Sequence, residues 1–125
     1  MYEGGCLCGK IRFRADAEAI WPHLCSCEHC QKLSGAPVVA WVSFPAASFT
    51  WTGQPKWFAT HPTTDRGFCG ECGSFLGARD TEGECKDQIG VTMFALDDHR
   101  GLSPVHQSCK DNAVPWLPVL EFVEP

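Results

Sequence analysis

Apolar and polar positions in this chain alternate over short runs and nowhere sustain a 3.6-residue period, so the predicted building block is a short strand. Glycine (12) and proline (9) break up the runs and leave little room for long helices. Leu7, Gly9, Ile11 and Phe13 alternate with Cys6, Cys8, Lys10 and Arg12. That alternation predicts a strand with two thiols on one face and its apolar residues on the other. Residues 38–44 are apolar on nearly both faces and read as a central strand. Phe49–Thr52 and 56–59 follow as strands around a Gly53-Gln54-Pro55 turn, and 75–78, 89–94 and 117–123 complete the set. One helix is predicted, with Ser26 as N-cap, Cys27 to Leu33 as its body and Gly35 just past its end. In it Cys27 and Cys30 share a face, and Cys25 arrives from an extended segment. The expected fold is mostly β, a small single domain over residues 1–125 with short helical turns.

Charge narrows the function classes. The net charge is −5, and the ten lysines and arginines are scattered without a basic stripe, which argues against a nucleic-acid surface. The longest stretch without charge, 33–55, is interrupted by Pro37 and Pro45, so no membrane-spanning helix is expected. Met1-Tyr2-Glu3-Gly4-Gly5 lacks the basic and apolar regions of a signal peptide. A reducing, cytoplasmic setting is the expectation.

The cysteines carry the chemistry. Nine are present, and seven of them fall into Cys6-x-Cys8, Cys25-x-Cys27-x-x-Cys30 and Cys69-x-x-Cys72. An odd count, and three sulfurs within six residues, oppose a secreted disulfide scaffold. Tetrahedral zinc with Zn–S near ~2.3 Å needs sulfurs about 3.8 Å apart, which tight spacings of this kind supply. Spacing leaves two partitions open. Cys27 and Cys30 can join Cys69 and Cys72 in a ribbon-like site, or Cys6 and Cys8 can join Cys69 and Cys72. The glycines of Cys69-Gly70-Glu71-Cys72-Gly73 suit a tight knuckle and favour the second.

Three blocks of the chain resemble one known family. Gly4-Gly5-Cys6-Leu7-Cys8-Gly9-Lys10-Ile11-Arg12-Phe13, then Cys25-Ser26-Cys27-Glu28-His29-Cys30-Gln31-Lys32, then Arg66-Gly67-Phe68-Cys69-Gly70-Glu71-Cys72-Gly73-Ser74 are similar to the glutathione-dependent formaldehyde-activating enzymes. Ser34-Gly35-Ala36-Pro37, Ala40-Trp41-Val42, Leu96-Asp97-Asp98 and Pro115-Trp116 extend the match over nearly the whole chain. The resemblance implies a β-tent-like fold with two zinc ions. It implies a structural zinc on Cys6, Cys8, Cys69 and Cys72, and a catalytic zinc on Cys25, Cys27 and Cys30. It further implies a carbon–sulfur lyase whose partner is a small-molecule thiol, glutathione, joined to formaldehyde as S-hydroxymethylglutathione. A three-thiolate zinc with an open position suits the capture of a substrate sulfur as thiolate.

Two other classes fit the same cysteines. A non-catalytic zinc module for protein binding predicts a fourth protein ligand on Cys25, Cys27 and Cys30, with His29 or a residue near His61 as candidates. A thiol redox or metal-buffering protein predicts disulfide exchange among those three. Glu28, His29, His23, His61 and His106 are candidate bases, each with a plain packing or surface alternative. Lys32, Lys56 and Arg66 are candidate receivers for the carboxylates of a thiol substrate. The five tryptophans read as core or wall, and Cys85 and Cys109 as free thiols.

Overall fold

A computed structural model describes residues 1–118. Among these residues ten strands form two sheets. The smaller is β1 (Tyr2–Gly5), β2 (Arg12–Ala15) and β5 (Phe49–Thr52), antiparallel, with β2 in the middle. The larger has seven strands in the order β10 (Gln107–Ser108), β3 (Ile20–Cys25), β4 (Val39–Pro45), β9 (Gln88–Thr92), β8 (Phe75–Asp80), β7 (Thr64–Phe68) and β6 (Lys56–His61). All its pairings are antiparallel except β10 with β3, which run parallel. The mostly β expectation holds.

The sheets close on one apolar core. Phe13 and Ala15 from β2 meet Val42 and Phe44 from β4, Ile89 and Val91 from β9, and Leu96. β4 alternates so strongly towards burial because it lies inside the larger sheet with Val42 opposite Val91. Phe49 and Trp51 close the end of this core, Phe49 stacked on Phe13 at 5.3 Å and Trp51 meeting it edge-on at 5.6 Å between ring centroids. The Gly53-Gln54-Pro55 turn carries the chain from one sheet to the edge of the other, so β5 and β6 do not pair.

Two expected elements are corrected. Residues 6–11 are not a strand. Cys6 N–H donates to the Ile11 carbonyl at 3.0 Å and closes a tight turn between β1 and β2, which leaves Leu7 92% exposed while Ile11 is buried. Period-2 alternation in a glycine-flanked stretch describes this knuckle as well as it describes a strand. The helix, α1 (Glu28–Ser34), starts one residue late: Cys27, not Ser26, is its N-cap, its sulfur accepting the Cys30 N–H at 3.3 Å. Gly35 ends the helix in left-handed backbone, as expected. The strand expected over 117–123 falls outside the described residues apart from its first two positions, which are not strand.

Candidate metal-binding sites

Cys6 and Cys8 lie on the β1–β2 turn, Cys69 and Cys72 on the β7–β8 turn, and their four sulfurs lie within 4.8 Å of one another. Both turns are built the same way. The first cysteine of each donates its N–H to a carbonyl five residues on, Cys6 to Ile11 and Cys69 to Ser74, each at 3.0 Å. Its own carbonyl accepts from the glycine after the second cysteine, Gly9 at 3.2 Å and Gly73 at 2.8 Å. Those glycines sit at φ 81° and 79°, a region costly for any residue with a side chain, so Cys-Gly is what the turn requires. Backbone N–H groups then point at sulfur: Ile11 to Cys6 at 3.3 Å, Glu71 to Cys69 at 3.4 Å and Cys72 to Cys69 at 3.5 Å. Sulfur–sulfur separations of 3.5 Å (Cys6–Cys8) and 3.8 Å (Cys8–Cys69) match the edge of a tetrahedral metal–sulfur site.

The protonation of this cluster is uneven. The Ser74 hydroxyl and N–H pull Cys72 down to about 5. Cys8 has the Lys10 N–H drawing it down, yet desolvation and the sulfurs of Cys6, Cys72 and Cys69 push it up to about 11. Crowded thiolates oppose one another, and a cation among them removes that opposition. The donor set fits a soft divalent ion such as zinc.

The second group is Cys25 at the end of β3, Cys27 at the helix cap and Cys30 in the first turn, again within 4.8 Å of one another. Cys30 is buried, and the Trp41 indole Nε1–H donates to its sulfur at 3.4 Å from the adjacent strand. Arg66 Nη2 on β7 approaches the Cys27 sulfur at 3.9 Å. Cys30 is held below the ordinary thiol range first by its contact with Cys25, and Cys25 is correspondingly pushed up. The chain after β9 clamps this loop from outside. Ser26 is buried, its hydroxyl accepts from Gln107 Nε2 at 3.0 Å, its N–H donates to the Ser108 carbonyl at 3.1 Å, and its carbonyl accepts from Asn112 Nδ2 at 2.8 Å. Ser26 therefore fixes the loop rather than capping the helix.

Cys25 and Cys30 border a cavity of about 230 Å³ whose wall includes Trp21, His23, Trp41 and Arg66. Trp21 is 45% exposed and left-handed at φ 48°, a strained setting for a tryptophan, and it stacks on His23 with ring centroids 3.8 Å apart. His23 Nδ1–H donates to the Trp21 carbonyl at 2.9 Å, leaving Nε2 free to accept. Of the other candidate bases, Glu28 pairs with Lys32 at 3.8 Å, His61 turns back onto Thr63 in the β6–β7 hairpin, and His106 stacks on Trp21. His29 faces Arg66 Nη1 at 3.5 Å. Among the described residues neither His29 nor His61 joins the three sulfurs as a fourth ligand. Of the candidate carboxylate receivers, Arg66 alone lines this cavity; Lys56 lies beside Gly70 at the other cluster.

Trp41 is core and wall, as expected, but sequence reasoning missed its N–H contact with Cys30 and the 107–112 clamp, whose signal lies only in tertiary pairing. It also missed the place of Cys109. Both Cys85 and Cys109 are free thiols, as expected, and both are exposed. Cys109 nevertheless sits beside Cys25, because Ser108 is the β10 partner of Cys25, and that neighbour, after burial, raises its thiol. It lies outside the group of three sulfurs. No helix among the described residues is long and apolar enough to cross a membrane.

Comparison with known proteins yields three likenesses. Residues 1–111 match the model of a family described as glutathione-dependent formaldehyde-activating enzyme. An uncharacterized lyase of Schizosaccharomyces pombe is 31% identical over 101 residues, covering 74% of this chain and 68% of that protein. The crystal structure of a Rhodobacter sphaeroides protein is similar with a TM-score of 0.62 at 20% identity, over 85% of this chain and 99% of that one. This last likeness concerns the fold alone.

Proposed function

This chain belongs to the glutathione-dependent formaldehyde-activating enzyme family, and from that premise we propose a zinc-dependent carbon–sulfur lyase acting on a thiol–aldehyde adduct such as S-hydroxymethylglutathione. The observation that carries the reading is the group of three sulfurs, Cys25, Cys27 and Cys30, with no fourth protein ligand among the described residues and with Cys25 and Cys30 lining a cavity. Cys6, Cys8, Cys69 and Cys72 would hold a structural zinc and Cys25, Cys27 and Cys30 a catalytic one. Zinc at the second site supplies a soft Lewis acid that stabilises a substrate sulfur as thiolate.

The residues of the chain do the rest. The Trp41 and Cys30 N–H groups fix the sulfurs of Cys30 and Cys27 and spread their negative charge. The Ser26 clamp holds Cys25 and Cys27 at one spacing. Trp21, His23 and Trp41 wall the cavity, so the adduct carbon would lie against ring faces. In the cleavage direction the C–S bond breaks, its electron pair stays on sulfur, the hydroxyl proton passes to solvent and formaldehyde leaves. The synthetic direction is the reverse.

Thiol and formaldehyde also combine without a catalyst, so the test is acceleration over background. Exchange between glutathione and its hydroxymethyl adduct, followed by NMR, is expected to accelerate with the zinc-loaded protein. It is expected to return to background in Cys27→Ser and Cys30→Ser. Equal rates with and without protein would contradict the reading. One observation favours the rival protein-binding module, namely Cys109 beside Cys25, since a fourth sulfur would close the site. Under the lyase reading Cys109→Ser keeps zinc and activity; under the rival it loses the second zinc.

A further inference from the structure

Four of the five arginines are held by aspartates: Arg12 by Asp97, Arg14 by Asp16, Arg79 by Asp65 and Arg100 by Asp98. Arg66 has no such partner among the described residues, although it is the arginine beside the three sulfurs. Its Nη1 donates to the Thr60 hydroxyl at 2.6 Å and its Nη2 faces Cys27. Its Nε is buried and has no hydrogen-bond partner. A buried N–H left unpaired is costly, and on a cation an anion is the partner that offsets most.

The other charges on the cavity wall are committed elsewhere. Arg79 is bound to Asp65 and lies over the Trp57 ring at 4.0 Å, and Asp80 Oδ1 accepts from the Thr64 hydroxyl at 2.8 Å. Among the described residues Arg66 is left as the cation of this space without a carboxylate partner. Nε and Nη2 form one edge of the guanidinium fork, the edge that pairs with the two oxygens of a carboxylate.

We propose that Arg66 is the anion subsite of this cavity and binds a carboxylate carried by the thiol substrate, which makes it a specificity-determining residue. The proposal rests on the open three-sulfur reading above and assigns the substrate class within it: thiols with a carboxylate on a compact arm. A volume of about 230 Å³ suits an arm of amino-acid size. The competing role is offsetting the charge of the Cys27 thiolate, which would stabilise the metal and ignore the charge of the ligand.

The test uses protein loaded with cobalt and follows its sulfur charge-transfer bands during titration with 3-mercaptopropionate and with its neutral methyl ester. For the wild type, the acid is expected to bind about tenfold or more tightly than the ester, as a charge-assisted contact implies. Arg66→Gln is expected to abolish that preference while leaving ester affinity and cobalt content unchanged, and Arg66→Lys to keep part of it. Equal binding of acid and ester by the wild type, a comparison that needs no variant, would overturn the proposal. So would loss of cobalt, or an equal weakening of both ligands, in Arg66→Gln. If neither thiol perturbs the wild-type bands, the open-site reading itself fails and the proposal falls with it.

Discussion

At the residue scale, what distinguishes the seven clustered cysteines is the direction of the hydrogen bonds around them. Ile11, Glu71, Cys72, Cys30 and Trp41 all aim N–H groups at sulfur, the arrangement that favours thiolate and so favours a metal. Trp41 is the informative member because its N–H can be removed without removing its ring. Trp41→Phe is expected to weaken metal binding at Cys25, Cys27 and Cys30 by about 10- to 100-fold while the four-sulfur site is untouched. Competition with a chromophoric chelator reads both constants, and equal losses at both sites would contradict this role. The two clusters should also differ in what their loss does. Cys69→Ser or Cys72→Ser should unfold or aggregate the protein, since those sulfurs tie the β1–β2 turn to the β7–β8 turn. Cys27→Ser or Cys30→Ser should lose one metal and keep most of the fold. Thermal unfolding of the four variants decides it, and equal destabilisation would deny any division of labour.

At the element scale, the strands written in Val, Ile, Phe and Trp were legible, and those written in polar residues were not. Phe49–Thr52 was read with its observed bounds, and β4 within a residue, because burial on both faces selects apolar side chains. β7 was invisible: Asp65, Arg66 and Gly67 at its centre carry little strand propensity, and the strand exists because β6 and β8 pair with it on both sides. β1 is half glycine, β3 contains Pro22 and a register break between Ile20 and His23, and β10 has two residues. The sulfur groupings themselves could be read, since spacing within a turn or a helical turn is local, and the knuckle glycines favoured the observed partition. The neighbours of the sulfurs could not, because Trp41, Arg66 and 107–112 reach them only through sheet pairing. Phe44 tests the legible part: buried between the sheets, Phe44→Ala is expected to cost about 3–5 kcal/mol in denaturant unfolding. The clamp tests the illegible part. Asn112→Ala removes the donor to the Ser26 carbonyl and is expected to lower metal affinity at the three-sulfur site with little change in global stability. A large fall in unfolding midpoint with metal affinity intact would contradict it.

At the scale of the molecule, the four-sulfur cluster packs with Ile11 and Leu76 as a small core of its own, and the three-sulfur cluster lies at the far end of β3 beside Val39 and Trp41. One group is therefore part of what holds the fold, and the other opens onto a cavity that the fold holds in place. Stepwise chelation should follow that division, with one metal leaving without unfolding and the second leaving only with it. The most direct measurement is a crystal structure of the reduced, zinc-loaded protein soaked with glutathione. The expected result is an ion on Cys25, Cys27 and Cys30 with the glutathione sulfur as its fourth neighbour. An ion whose fourth neighbour is Cys109 or any other side chain of the protein, unchanged by glutathione, would contradict it.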